Sequence, residues 1–341
     1  MEKRKLLVDS FAYIDPPMRA TLVHKAARDY YFLHDTAAAW HGEELFVAYY
    51  HCRQDEMIGH TLIHQRISRD HGASFGPETV LSAPAEEKGL HVPPMLFEMN
   101  GILYAYVTRM TGPDICTDIR VLKYWQGCWK EIGILDYPMI VNGTPQRLDE
   151  STWLAAGRVA DEPGKKPERA AILKIDAKDP TQTQRIPMEI PQGENHPTCP
   201  ESTLFRLGDH WVLLVRNDAG PFWMYESDDG VHYTGPYEAG LPMEASKPFG
   251  GMLADGRSYL IYNAPNPPER RSKLVLLLAK PGEKEFSQKA ILFWSDDHVA
   301  NRRNWHYPCA AERDGKLSIS LTAGFRSEEG RDAILLTVDL K

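Results

Sequence analysis

The chain has little cysteine, and what it has is not arranged for chemistry. Cys52, Cys116, Cys128, Cys199 and Cys309 contain no Cys-x-x-Cys pair and are odd in number. That argues against a disulfide framework and leaves them as mostly buried thiols. No spacing of histidine and cysteine matches a metal motif. His60 and His64 are four apart, which on a strand gives same-side placement and nothing more. No metal and no other cofactor is therefore expected. There is no apolar run of roughly 18 residues that would span a bilayer as a helix. Positive charge is not in excess, with 39 Lys+Arg against 47 Asp+Glu, which argues against general affinity for nucleic acid. The basic start Met1-Glu-Lys-Arg-Lys is followed only by Leu6-Leu-Val, too short for the apolar core of a signal peptide. The expectation is a cytoplasmic protein, or a secreted or periplasmic one whose leader has been removed.

What the chain does have is a repeat of about fifty residues. Five stretches begin alike: His91-Val-Pro-Pro-Met, Asn142-Gly-Thr-Pro-Gln, Cys199-Pro-Glu-Ser-Thr, Ser246-Lys-Pro-Phe-Gly and His306-Tyr-Pro-Cys-Ala. Each has a proline near its start, then a turn, then an apolar run such as Ile102 to Val107 or Trp211 to Val215. A sixth copy, without the proline, runs from His34 through Trp40-His41-Gly42. Short strands at this period predict an all-β, six-bladed β-propeller in one domain spanning 1–341. The predicted blades cover approximately 34–83, 91–135, 142–191, 198–241, 246–294 and 305–341. Residues 5–9 are expected to join the last blade as an added strand and close the ring, which removes open sheet edges. Such a ring brings the start of every inner strand to one mouth, so residues distant in sequence meet there.

Two hairpins carry a second pattern. Ser68-Arg-Asp-His-Gly-Ala-Ser-Phe75 reads Ser-x-Asp-x-Gly-x-Ser-Phe, and Ser227-Asp-Asp-Gly-Val-His-Tyr233 is one residue shorter. A decayed copy lies at 279–286. The acidic side chain bonds nearby amides, glycine takes the positive-φ position, and the aromatic plugs the blade interface. Asp70 and Asp229 are therefore scaffold. These loops resemble the Asp-box (BNR) repeats of the sialidase superfamily.

Blades four to six strengthen the resemblance. Pro200-Glu201-Ser-Thr leads to Leu-Leu-Val-Arg216, similar to the sialidase blade in which glutamate opens one strand and arginine closes the next. Asn263-Ala-Pro precedes Arg270-Arg271, and blade six opens on His306-Tyr307. The resemblance implies a glycoside hydrolase with Tyr307 as nucleophile and Glu201 as its base, an exception to the two-carboxylate scheme. It implies that Arg216 and Arg271 grip a substrate carboxylate, and that Asp55 is the acid/base group. Lys247 and His34 are further binding candidates. Trp305 is the aromatic expected to stack on a sugar ring. Plainer roles stand beside these: Glu201 as a strand cap, Arg216 paired with Asp218, and Asp55 in a charged loop.

The pattern also departs from the family. Sialidases open blade one with Arg-Ile-Pro, and here that entrance reads Tyr31-Phe-Leu-His34-Asp35-Thr36. The Arg185-Ile-Pro187 triplet ends blade three instead. A mouth with two arginines and His34, His91 and His306 suits a uronate-type sugar better than sialic acid. Three readings follow. The first is an exo-acting, sialidase-like hydrolase on a terminal acidic sugar of an oligosaccharide or glycoconjugate. The second is a histidine-dependent polysaccharide lyase or rhamnosidase-like enzyme using His91 or His306 for proton transfer. The third is a non-catalytic propeller that binds glycan or protein.

Overall fold

The structure, a computed structural model, describes residues 2–53, 55–190, 199–218, 220–267, 270–295, 303–325 and 330–341. The expected blade boundaries at 191 and 198 lie outside them. Among the described residues there are strands and turns and no α-helix. Among the described residues no helix is long and apolar enough to cross a membrane.

The strands fall into five sheets, and the eight-stranded one divides at a single parallel bridge, Arg331 to Phe32, into two antiparallel units, here called sheets six and one. Sheet one is Phe32–His41, Glu44–Cys52, Leu62–Ser68 and Thr79–Ser82. Sheet two is Leu90–Met99, Ile102–Gly112, Ile115–Trp125 and Cys128–Leu135. In sheet three the first strand is split into Met139–Val141 and Gln146–Arg147, both paired with Thr152–Val159, and Arg169–Asp176 and Thr183–Pro187 complete it. Sheet four is Ser202–Leu207, His210–Val215, Trp223–Ser227 and Thr234–Ala239. Sheet five is Phe249–Met252, Ser258–Asn263, Lys273–Ala279 and Phe286–Trp294. Sheet six has Arg303–Arg313, Lys316–Phe325 and Arg331–Asp339, and takes Met18–His24 as its outer strand. Neighbouring sheets touch in chain order, and Arg303–Arg313 of sheet six touches Phe32–His41 of sheet one.

The N-terminal segment takes a path the repeat did not reveal. Residues 5–9 do not enter the sheet that ends the chain. Lys3–Arg4 runs parallel to Thr234–Ala239 in sheet four, and Leu7–Tyr13 runs parallel to Phe286–Trp294 in sheet five. Only Met18–His24 reaches sheet six, antiparallel to Arg331–Asp339. The reason is geometric. Sheet six has three strands of its own at the C-terminus, and its open edge, Ala333 to Val338, is paired by Met18–His24. The residues before it serve as a strap along the outer edges of two other sheets.

The apolar core is layered between sheet faces, as expected where each strand buries alternate residues. Leu154, Ile172, Leu204, Trp211 and Leu213 fill the space between sheets three and four. Phe205, Val212, Leu260 and Val275 do so between four and five. Val23, Leu33, Val47, Tyr49 and Leu335 pack between six and one. The hairpins at Ser68–Phe75 and Ser227–Tyr233 make the bonds their sequence predicts. Ser74 N and Ser74 Oγ both donate to the Asp70 carboxylate, and Val231 N and His232 N donate to Asp229 Oδ1.

Because Val23 is fully buried in the layer between sheets six and one, removing residues 1–24 uncovers a sheet edge and an apolar face. The expected loss is about 3–5 kcal/mol. Removing residues 1–4, which form one two-residue pairing, should cost under about 1 kcal/mol by the same reasoning. Chemical denaturation of the two truncated chains checks this, and equal stabilities would show that Met18–His24 does not seal the seam.

Candidate active site

Two of the site's side chains are aimed by the same backbone irregularity. In sheet one the register shifts between His34 and Ala37, and in sheet six between His306 and Cys309. Each shift makes room for one extra residue on the first strand, as in a β-bulge. The residue after each histidine takes a left-handed backbone, with φ 45° at Asp35 and 57° at Tyr307. That conformation is uncommon outside glycine and marks stored strain, above all for a bulky tyrosine. Sheet two shifts between His91 and Pro94 in the same way. The consequence is shared: Asp35, Val92 and Tyr307 all line one cavity of about 310 Å³, while the histidines before them do not.

Sheet four supplies the charge. Glu201 precedes the first strand and Arg216 follows the second, and Arg216 N donates to Glu201 O at 2.8 Å. Their side chains meet in the cavity, where Arg216 Nη1 donates to Glu201 Oε2 at 2.6 Å and to the Tyr307 hydroxyl at 3.2 Å. Arg216 Nε also donates to Asp218 Oδ1 at 3.0 Å. From sheet three, buried Arg158 donates to Asp114 Oδ1 at 2.9 Å and to Cys199 Sγ at 3.2 Å. Arg271, itself at φ 58°, is held by the Ala245 carbonyl at 2.8 Å, and its guanidinium sits 5.4 Å from the Tyr307 ring centre. Beneath the tyrosine, buried Lys247 is paired with Asp35, and its Nζ is 5.3 Å from the same ring.

These surroundings set the protonation states. Burial pushes Glu201 up, but Arg216, Arg158 and Lys247 together outweigh it and hold the carboxyl below its ordinary range. Burial, reinforced by Glu201, lifts the Tyr307 phenol well above its ordinary value against the pull of Arg216 and Arg271. Burial also raises Asp35 in spite of Lys247. Glu56, whose side chain is 41% exposed, accepts a bond from the Tyr50 hydroxyl at 3.0 Å, lies 3.7 Å from His34 Nε2 and lines the same cavity. Desolvation by the cavity wall pushes its carboxyl up to about 6. The pocket thus holds a carboxylate that stays ionised, a phenol that stays neutral, and an acid poised near neutrality.

Of the residues singled out in the sequence, Tyr307, Glu201, Arg216 and Arg271 converge on this cavity. Lys247, His34 and His306 lie under it. The His34 ring is tilted against its neighbours, its centre 4.2 Å from that of Tyr307 and 5.0 Å from that of His306, and its Nδ1 bonds Thr322 Oγ1 at 2.8 Å. Burial, with Arg271 adding to it, holds both imidazoles well below their ordinary pKa. Three placements need correction. Asp55 is exposed and accepts a bond from Glu56 N at 2.7 Å, so it shapes the turn while its neighbour Glu56 faces the cavity. His91 is bonded to Ser82 Oγ at 2.8 Å, away from the cavity wall. Trp305 stacks flat on Phe293 at 4.7 Å and is core.

Glu56, Arg158, Asp35 and Asp114 line the cavity and were not singled out. One of them had a signal. Trp153-Leu-Ala-Ala-Gly-Arg158 repeats the spacing of Trp211-Val-Leu-Leu-Val-Arg216, so superposing the two repeats finds Arg158.

The chain belongs to the BNR repeat-like domain family, whose model matches residues 130–319. Among solved structures it is similar to a protein of unknown function from Dyadobacter fermentans DSM 18053, with 12% identity, 96% of this chain and 100% of that one covered, and a TM-score of 0.71. It is also similar to Trypanosoma rangeli sialidase in complex with sialic acid, with 8% identity, 95% and 59% coverage, and a TM-score of 0.67. The Hadza microbial sialidase Hz136 gives 11% identity, 90% and 66% coverage, and a TM-score of 0.66. The chain therefore spans about three fifths of the length of the trypanosomal sialidase. Comparison of the sequence with curated proteins finds no match.

Glu201 is the counter-charge for Arg216 and helps neutralise Arg158. Glu201→Gln keeps the shape and leaves those guanidinium groups short of a partner, which is expected to cost about 3 kcal/mol of stability. Urea denaturation of the variant measures it, and an unchanged midpoint would show that Glu201 does not hold the arginines in place.

Proposed function

We propose that the six sheets form a closed six-bladed propeller whose mouth is the active site of an exo-acting glycoside hydrolase. The substrate is a glycan or glycoconjugate ending in an acidic sugar of uronate type. The observation that carries the reading is the convergence of Tyr307, Glu201, Arg158, Arg216 and Arg271 on one cavity. Its volume, about 310 Å³, is at the small end of ligand cavities. That suits one terminal sugar better than an internal stretch of chain. A larger cavity of about 570 Å³ lies where the first strands end, and the charged residues of its wall, Glu98, Arg147 and Glu312, form no basic cluster.

Arg271 is the natural anchor for the substrate carboxylate. Arg158 and Arg216 each already meet a carboxylate, whereas Arg271 is held by a backbone carbonyl. A bound carboxylate on Arg271 would also draw on Arg216. That loosens the Arg216 hold on Glu201 and makes Glu201 a better base at the moment it is needed. In the reaction the Tyr307 oxygen forms a bond to the anomeric carbon as its proton passes toward Glu201. The glycosidic C–O bond breaks, and Glu56 gives its proton to the leaving oxygen. Glu56 then takes a proton from water, whose oxygen displaces Tyr307, and the phenol recovers its proton from Glu201.

The histidine-dependent reading has less support. His34 and His306 lie beneath Tyr307 and His91 is turned to Ser82, so none of them lines the cavity. Tyr307→Phe is expected to remove turnover of aryl uronides while leaving the melting temperature within a degree or two, since one hydroxyl is lost and little volume changes. Full activity in that variant would end the tyrosine mechanism. Arg271→Lys keeps the charge but loses the planar two-point contact. It should raise KM for an acidic sugar about tenfold or more and leave a neutral sugar unaffected. Turnover confined to neutral sugars, unmoved by the lysine, would exclude the acidic substrate.

The protonation of Glu56 predicts the pH profile. An acid with its pKa raised to about 6 is loaded below that pH and empties as pH rises through it. The rate should therefore fall on the alkaline side with an apparent pKa near 6. Glu56→Gln should cost about 10²–10⁴ in kcat and remove that limb. A profile that keeps the limb in the variant would assign the acid to another group.

A further inference from the structure

The seam between sheets six and one gathers a second set of polar groups, far from the proposed chemistry in kind. His51 on Glu44–Cys52, His64 on Leu62–Ser68 and Glu78 just before Thr79–Ser82 point their donor atoms at one another. His51 Nδ1 is 2.6 Å from His64 Nδ1, His64 Nδ1 is 3.1 Å from Glu78 Oε1, and His51 Nδ1 is 4.0 Å from the same oxygen. Positions 51, 64 and 78 follow no metal spacing in the sequence. Strand pairing makes the cluster: Tyr49 lies opposite His64, so His51, two residues along, shares its face.

We propose that His51, His64 and Glu78 hold a divalent cation of the zinc class. Two neutral imidazole nitrogens facing each other can share only one proton, and here a carboxylate oxygen competes for it. A cation satisfies all three lone pairs at once. Bonds of about 2.0–2.1 Å in a tetrahedron separate donors by roughly 3.3 Å, and the three observed separations lie to either side of that value.

A fourth donor stands by. His24 Nε2, on the N-terminal outer strand of sheet six, is 3.5 Å from Glu78 Oε1, and His24 Nδ1 is buried without a hydrogen-bond partner. Tyr49 Oη donates to Glu78 Oε1 at 2.6 Å and fixes its orientation, the part that supporting bonds play around metal ligands. Arg66, two residues from His64 on the same strand, adds positive charge that the Glu78 carboxylate offsets. With His24 engaged, the cation joins sheet one to the strand that seals sheet six. Its role is structural, since all four protein ligands together leave no open position.

The test uses the full chain and zinc alone. Protein stripped with a chelator and dialysed against Zn²⁺ should retain about one equivalent by elemental analysis. Saturating zinc should raise the melting temperature by about 3 °C or more. Co²⁺ in its place should show the intense visible bands of tetrahedral nitrogen and oxygen ligation. The His51→Ala/His64→Ala variant should lose both the retained metal and the thermal shift, and His24→Ala should weaken retention about tenfold or more. If the double alanine variant does not fold, Glu78→Gln, which keeps the side chain's shape, carries the same expectation. No retained zinc in the wild type would overturn the proposal, and so would equal retention in the folded variants. None of these readouts depends on glycosidase activity.

Discussion

The site depends on one buried ion pair. Glu201 is almost completely buried, and it stays ionised only because Arg216 touches it and Arg158 lies close. The reverse holds too: guanidinium groups this near each other need an anion between them. Arg216 then carries the link outward, with one nitrogen on Glu201 and the same nitrogen on the Tyr307 hydroxyl. Removing Glu201 or Arg216 leaves the other as a buried charge short of its partner. That is why an apparently modest strand entrance in sheet four organises groups from sheets three, five and six.

The backbone has to cooperate, and it does so at a cost. Asp35, Arg271 and Tyr307 all adopt left-handed conformations that their side chains disfavour. Each such residue stores of the order of 1–3 kcal/mol. Their clustering around one cavity is what strain serving a site looks like, since strain scattered over the surface would have no common beneficiary. Lys247 beneath Asp35 and Tyr307 provides part of the compensation, through an ion pair and a cation–ring contact.

The same bulges explain how much of the site could be read in the sequence. The repeat itself was legible, because the proline, turn and apolar run recur in every unit. Glu201, Arg216 and Tyr307 were legible because each stands at a strand end, where the repeat alone fixes direction. His34, His91 and His306 stand at equivalent entrances too, but the extra residue of each bulge turns the following side chain inward and leaves the histidine beneath or beside the cavity. Asp55 and Glu56 are neighbours in one turn, and only local geometry decides which faces the opening. Trp305 looked available because regular alternation puts residues two apart on one face, but the extra residue of the bulge in this strand breaks that alternation, and Trp305 packs on Phe293.

The N-terminal strand ties these observations together. Pairing between sheets one and six is otherwise slight, a single parallel bridge between Phe32 and Arg331. Yet this is the seam across which His34 from sheet one meets His306 and Tyr307 from sheet six. The position of the tyrosine therefore rests on how firmly the two sheets are held. Met18–His24 adds a full ladder to sheet six on one side of the seam and presents Val23 and His24 to sheet one on the other. A covering strand that contacts both sheets through one apolar and one polar residue resists both separation and sliding. Separation exposes Val23, and sliding breaks the approach of His24 to Glu78.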